Sequence, residues 1–396
     1  MNKLRVPVVF ILFNRPELTR QVFNIIRQVQ PDRLFLIADG PRIDRAEDVS
    51  LCSEARQVVG SVDWECTVQK NYSEVNLGCG RRIVSGLDWV FEQVDEAIIL
   101  EDDILPDPTF FQFCSELIEC YRDEPRVMYI SGRNNLGQWN PCAASYFFCR
   151  HGNIWGWATW KRAWALYDFQ LNTFKNKDVE TILHQNLPDT EHAAHQLWFF
   201  RRHAGLVIDT WDTQWTLTCL LQGGLCIMPT INIVSNLGFQ AAATHTTNAN
   251  DMRSHLPRFS LGFPLFHPKG VQSDYIDNKF DRWNFLWALM NAYRQVPMLN
   301  LWQRVLDKNP KIPVPGLNEG FTHVLTPLRH PEEALQVLHH MQTYVPANNQ
   351  LKHLIKEFSN ITRKLKPFTN SNEHCQFWSN NYEGRIKGKP SETGGV

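Results

Sequence analysis

Apolar runs bounded by polar turns alternate with segments of helical period along the first hundred residues. Residues 7–13, 33–38, 64–70 and 97–100 read as strands, and the apolar runs among them predict buried positions in a sheet. Between them, residues 17–29, 45–59 and 81–94 carry helical periodicity. Pro16 suits the first turn of the first helix, and Asn76-Leu77-Gly78-Cys79-Gly80 is a glycine-rich turn leading into the third. Strands separated by helices predict a parallel βαβ sheet.

The alternation continues less regularly. A helix is predicted over 108–121, strands over 126–131, 146–149 and 225–233, and helices over 192–202 and 213–222. Pro229 places the last of these strands at an edge or bends it. Beyond residue 252 the pattern predicts an amphipathic helix over 280–293, connecting chain over 305–329 and a short helix over 332–341. A basic segment with an apolar stripe follows over 351–370, and 384–396 reads as a frayed tail.

Polar residues cluster where the early strands end. Asn14-Arg15 follows the first, Asp39-Gly40 the second and Glu101-Asp102-Asp103 the fourth. Open α/β folds bind ligands outside the carboxyl ends of their strands, so these groups can converge despite their separation in sequence. Pro106 and Pro108 forbid the fourth strand from continuing past the acidic cluster. Three adjacent carboxylates repel one another and are costly near apolar surroundings unless a cation or several donors compensate. A hard divalent metal is therefore a natural partner, and a solvated acidic turn is the alternative. The GxGxxG of a dinucleotide fold and a Walker loop are both absent. What remains is a nucleotide site that reads base and ribose through side chains and neutralises a diphosphate through a metal.

The second half supplies further candidates. Trp155, Trp157, Trp160 and Trp164 crowd around Gly156, either as a wall for an acceptor sugar or as a packed turn-to-helix junction. Asp209 and Asp212 lie three apart between tryptophans, in a stretch otherwise poor in acid. Asp212 can serve as a general base or cap the helix that follows. His245, in a polar loop, is a candidate metal ligand or phosphate contact, though a loop histidine is more often neither.

Composition narrows the classes. At 396 residues the chain can hold one large core or two domains, and 14 Trp with 24 Phe imply large packed faces. A net charge of -1 argues against a polynucleotide partner and leaves a local nucleotide pocket open. The start runs directly into an apolar strand without a secretory pattern, and no apolar run approaches a membrane span. A cytoplasmic protein is expected, with its ten cysteines as buried thiols. The basic amphipathic segment 351–370 fits either a solvated face or a peripheral contact with the inner face of a membrane.

Taken together, Phe13-Asn14-Arg15-Pro16, Asp39-Gly40, Asn76-Leu77-Gly78, Glu101-Asp102-Asp103 and Trp155-Gly156-Trp157-Ala158-Thr159-Trp160 resemble glycosyltransferases of the GT-A fold. The similarity is to family 2-like bacterial enzymes and to the N-acetylglucosaminyltransferase I type with its acidic EDD motif, over about residues 5–248. It implies an α/β fold whose Rossmann-like, mostly parallel central sheet is flanked by helices, with a helical C-terminal extension. Residues 1–130 would form the nucleotide-sugar-binding half, 131–250 the acceptor-binding and catalytic half, and 251–396 the extension. Asp103 would hold Mn²⁺ or Mg²⁺ on the diphosphate, with His245 completing the shell. Glu101 and Asp102 would contact the ribose and neighbouring groups, and Asp39 the base. Asn14, Arg15, Gly40 and Arg81 would lie near the nucleotide, and Asp212 would be the base of an inverting reaction. The donor implied is a nucleotide sugar, a UDP-sugar first, and the acceptor a glycan or small hydroxyl compound. No ExD or QxxRW signature follows, which favours transfer of one sugar at a time.

Residue chemistry agrees with that implication. A departing diphosphate needs charge stabilisation, and an acceptor hydroxyl needs a carboxylate to take its proton. A glycosidase would instead need two carboxylates across one bond. Two alternatives stay open: a non-catalytic sugar-binding protein on a similar scaffold, and a sugar-phosphate nucleotidyltransferase. The latter usually has a glycine-rich basic loop where Asn14-Arg15-Pro16 stands.

Overall fold

The computed structural model describes residues 4–141, 143–206, 209–239, 252–254, 256–271, 277–292 and 326–365. The chain divides into two compact units, Met1–Asn284 and Phe285–Val396.

The first unit is a mixed α/β layer structure around an eight-stranded, mostly parallel sheet flanked by helices. In chain order its leading elements are β1 (Val8–Leu12), α1 (Pro16–Val29), β2 (Arg33–Ala38), α2 (Glu47–Val58), β3 (Thr67–Tyr72), α3 (Cys79–Phe91) and β4 (Glu96–Glu101). These follow the expected alternation with boundaries moved by a few residues. A short β5 (Ile104–Pro106), α4 (Thr109–Cys120), β6 (Val127–Ser131), β7 (Tyr146–Cys149), β8 (Trp157–Trp160) and α5 (Lys161–Trp164) come next. The unit continues with α6 (Val179–Asn186), α7 (Thr190–His203), α8 (Asp212–Leu221), β9 (Leu225–Pro229) and β10 (Val234–Asn236). The helix α9 (Asn278–Ala292) spans the division between the units.

The sheet order is β3-β2-β1-β4-β8-β6-β9-β7, with β8 and β7 antiparallel to their neighbours. Strands from 1–130 and from 131–250 thus interleave in one sheet. Every residue of β1 is buried, as a central strand covered on both faces requires. Val8, Phe10 and Leu12 join Leu34, Leu36, Ile98 and Leu100 in a core with α1, α2 and α4 on one face. On the other face Gly86 of α3 sits against Ile37, and Trp89 packs edge-on against Phe35 with ring centroids 5.5 Å apart. At one edge β3 is polar and partly exposed. At the other, β7 is covered, with Asp277 N–H donating to the Phe148 carbonyl at 2.9 Å. A second core joins α6, α7 and α8 through Leu183, Leu197, Leu217 and Leu220.

The prolines after the acidic cluster act differently from expectation. β4 does end at Glu101, but the chain turns at Asp102-Asp103 and resumes extended structure as β5, which reaches Pro106 and pairs antiparallel with β10. The two-stranded ribbon anchors the turn, since Leu237 N–H donates to the Asp103 carbonyl at 2.8 Å.

In the second unit α10 (Thr326–Arg329) precedes α11 (Pro331–Gln342) and α12 (Asn349–Leu365), and these last two pack together. Their apolar positions, Val337, Leu338 and Met341 on one and Leu351, Leu354, Phe358 and Ile361 on the other, are buried. The apolar stripe of the basic segment, expected on a solvated face or at a membrane surface, is thus buried in protein over its described part, 351–365. Among the described residues no helix is long and apolar enough to cross a membrane.

Candidate functional site

From β1 the chain passes outward to β2 and β3, while β4 returns to the opposite side of β1. Such a reversal leaves a crevice outside the carboxyl ends of the two central strands. A cavity of about 130 Å³ lies there, lined by Phe13, Arg15, Asp39, Arg82, Glu101, Asp102 and Asp209 among others.

Arg15, just ahead of α1, reaches across to the acidic turn. Its Nη1 donates to Asp103 Oδ2 at 2.8 Å and its Nη2 to Asp102 Oδ1. The other Asp102 oxygen accepts the Phe13 N–H at 3.1 Å. Burial works against the Arg15 charge, but Asp102 and Asp103 more than offset it and raise its pKa. Burial, then the neighbouring Asp103 charge, pushes the Glu101 carboxyl up to about 8 despite Arg15. Asp102 is raised as well, by burial first, with Arg15 opposing. One guanidinium thus faces three closely placed carboxylates.

Hard oxygen donors carrying excess negative charge are the chemistry a divalent cation takes, so the donor set fits such an ion in kind and charge. Among the described residues, however, no three metal-ligating side chains converge on one point, and Arg15 is the cation the cluster holds. His245 lies outside the described residues.

The remaining expected nucleotide contacts have definite structural partners. Asn14 Nδ2 donates to Asp48 at 2.7 Å, and Arg42 holds the same fully buried carboxylate through Nε at 2.6 Å and Nη2 at 2.9 Å. Asp48 is kept below the usual carboxylate range by the Arg42 bond first, against its own burial. Asp39 accepts the N–H groups of Gly40, Leu77 and Gly78 and the Asn76 amide at 2.9–3.2 Å. Burial nonetheless raises its pKa. Its oxygens pin the 76–78 turn onto the end of β2, so a base contact would have to share them. A Cβ on Gly40 would lie 2.5 Å from the Val75 carbonyl carbon, so the chains meet too closely there for any other residue.

Arg81 is exposed, whereas Arg82 is 5% exposed and lines the cavity. Arg82 Nη2 donates to the Asn71 carbonyl at 2.6 Å. The signal was present in the sequence: 82, 86 and 90 share a helix face with buried Gly86 and Val90, and 81 does not.

Of the two later aspartates, it is Asp209 that lines the cavity. Its Oδ1 accepts the Gly80 N–H at 3.0 Å. Asp212 is exposed at the start of α8 and accepts the Thr213 N–H at 2.8 Å and the Thr210 hydroxyl. Its charge still reaches Glu101 and Tyr167. The tryptophan block is mostly core. Trp157, Trp160 and Trp164 are at most 4% exposed; Trp157 stacks on Trp211 and Trp164 on Tyr167, and both pack at a tilt against Trp215. Only Trp155 of the four is partly exposed, with the Arg133 guanidinium 5.2 Å from its ring centre.

No family model matches the chain, and no curated protein matches it. Among solved structures, the inositol-1-phosphate CTP transferase from T. maritima overlays 42% of this chain and 76% of its own, at 13% identity and a TM-score of 0.25. An overlay of that quality supports no assignment of fold or function.

Proposed function

We propose that the chain is a glycosyltransferase that moves one sugar from a nucleotide-diphosphate sugar to a hydroxyl acceptor with inversion. The observation that carries this reading is the convergence of Phe13-Arg15, Asp39, Arg82, Glu101-Asp102 and Asp209 on one cavity at the reversal of the sheet. The carboxylate cluster and its position are what the resemblance to GT-A enzymes requires. Asp103, less buried than Asp102, would hold Mn²⁺ or Mg²⁺ with His245. The ion would supply Lewis-acid stabilisation of charge on the departing diphosphate.

The chain's own residues account for the rest of the proposal. Arg15 orients Asp102 and Asp103 and adds positive charge beside the leaving group. Asp39 and the turn at 76–78 form the wall on the β2 side. Asp212, exposed and near enough for its charge to reach Glu101, takes the proton of the acceptor hydroxyl as it attacks, and a single displacement inverts the anomeric centre. The core placement of Trp157, Trp160 and Trp164 removes the main ground for a sugar-binding module without catalysis.

The test is thermal unfolding of the full chain with Mn²⁺ and a panel of nucleotide sugars, followed by product analysis with the donors that bind. A rise in melting temperature with one donor class and a transferred sugar are expected. Absence of any shift, with glycan binding retained, would overturn the enzyme reading.

A further inference from the structure

We infer that Arg42, fixed in place by the buried Asp48, is the residue of this cavity that binds a phosphate oxygen of its ligand. This rests on the reading of the cavity as a nucleotide site. Three arginines line it, Arg15, Arg42 and Arg82. Arg15 commits both Nη groups to Asp102 and Asp103, and Arg82 commits both of its own to Ser85 and Asn71. Arg42 gives Asp48 its backbone N–H at 3.2 Å, its Nε at 2.6 Å and its Nη2 at 2.9 Å, while among the described residues its Nη1 has no hydrogen-bond partner. The Asp48 side chain is wholly buried and that of Arg42 is 39% exposed. The guanidinium is thus anchored along its inner edge, and Nη1, at the outer edge, is not enclosed.

A long side chain on the surface loses rotamer freedom when it takes up a ligand. Two side-chain hydrogen bonds to one fixed carboxylate remove that freedom beforehand. Asp48 is itself held by Asn14 Nδ2 at 2.7 Å, and the Arg42 guanidinium carbon lies 5.5 Å from the centre of the Phe13 ring, which lines the same cavity. Phe13, Asn14 and Arg15 are consecutive. The first donates its N–H to Asp102, the second holds Asp48, and the third bridges Asp102 and Asp103. One short segment after β1 therefore sets Arg42 and the acidic turn in fixed relation to each other.

The charge of the lining selects the contact. Asp39, Glu101, Asp102 and Asp209 share the cavity and disfavour an anion near them. An anionic oxygen is therefore accommodated beside a cation that still has a donor to give, and Arg42 Nη1 supplies one. A guanidinium N–H to a phosphate oxygen is a strong, charge-assisted bond. Because Asp48 already occupies the Nε and Nη2 edge, the contact is single rather than forked.

The experiment is calorimetric titration of UDP and of inorganic pyrophosphate into the full chain, at low and at high salt, for wild type, Arg42→Met and the double variant Arg42→Met with Asp48→Asn. Arg42→Met leaves a buried carboxylate with Asn14 as its remaining side-chain partner. The double variant removes that orphaned charge and carries the test alone if the single one does not fold. Both are expected to bind UDP and pyrophosphate about 3- to 30-fold more weakly at low salt. The difference from wild type should shrink at high salt, because a solvent-facing charge contact is screened and a packing defect is not. Unchanged affinity in the folded variants, or a loss that salt does not alter, overturns the inference and leaves Arg42 and Asp48 a purely structural pair. Weakened pyrophosphate binding without UDP binding by any form would uphold Arg42 as the anion contact and defeat the nucleotide reading. UDP bound equally by all forms would do the reverse, and a wild type that binds neither ligand overturns both.

Discussion

Arg15→Met keeps much of the side-chain volume and removes the guanidinium that bridges the acidic turn. The side chains of Asp102 and Asp103 are 1% and 13% exposed, so neither carboxylate can turn fully to water. Removing one partner of a buried ion pair costs about 3–5 kcal/mol. Here Arg15 is 26% exposed and Asp102 keeps the Phe13 N–H, which brings the expected loss to roughly 2–4 kcal/mol. At about 2 °C per kcal/mol for a unit of this size, the melting temperature should fall by roughly 4–8 °C. Tryptophan fluorescence suits the measurement, since Trp157, Trp211 and Trp215 are buried in the same unit. Millimolar Mn²⁺ should return part of the loss in the variant, because the three carboxylates then lack their internal cation. A loss below about 1 kcal/mol, the range of solvated surface pairs, would refute the reasoning and make Glu101–Asp103 an ordinary acidic turn.

Three further predictions follow from single residues. Asp39→Asn removes an acceptor from a carboxylate holding three backbone N–H groups and should cost about 1–3 kcal/mol in urea unfolding; unchanged stability with lost UDP binding would make Asp39 a base contact instead. Asp212→Asn should leave donor affinity intact in titration while single-turnover transfer falls by about 10²–10⁴, and unchanged transfer would leave it an end-of-helix contact. Burial pushes Asp281 up to about 7 although it accepts the Arg150 and His151 N–H groups, so the folded chain keeps its proton where the unfolded chain has lost it. Its contribution is therefore full below about pH 4 and lost as pH rises towards 7, by up to about 4 kcal/mol; Asp281→Asn should flatten that slope in urea midpoints taken from pH 4.5 to 8.

Much of the scaffold is legible along the chain because its signals are local. The apolar runs that became β1, β2 and β4, and the glycine turn before α3, need only neighbours a few residues away to be recognised. The acidic triplet at the end of β4 was legible for the same reason. Residue type alone points to Arg81, whereas helix phase puts Arg82 on the buried face, one residue being 100° of rotation. Indole content along the strand and helix leaves a ligand wall and a packed junction equally open, and alternation along β8 decides for packing by sending Trp157 and Trp160 into the cores on opposite faces of the sheet.

The sequence by itself determined an α/β sheet with polar residues at the ends of its strands, because period and turn chemistry are properties of short segments. Only the tertiary structure decided what those residues touch. It set Arg15 between Asp102 and Asp103, closed Asp39 into the 76–78 turn, covered the apolar stripe of α12 and brought Asp209 to the start of α3. Each of these depends on where distant segments meet, and that is settled by how the sheet order reverses and how its faces are packed, which no short stretch of sequence carries.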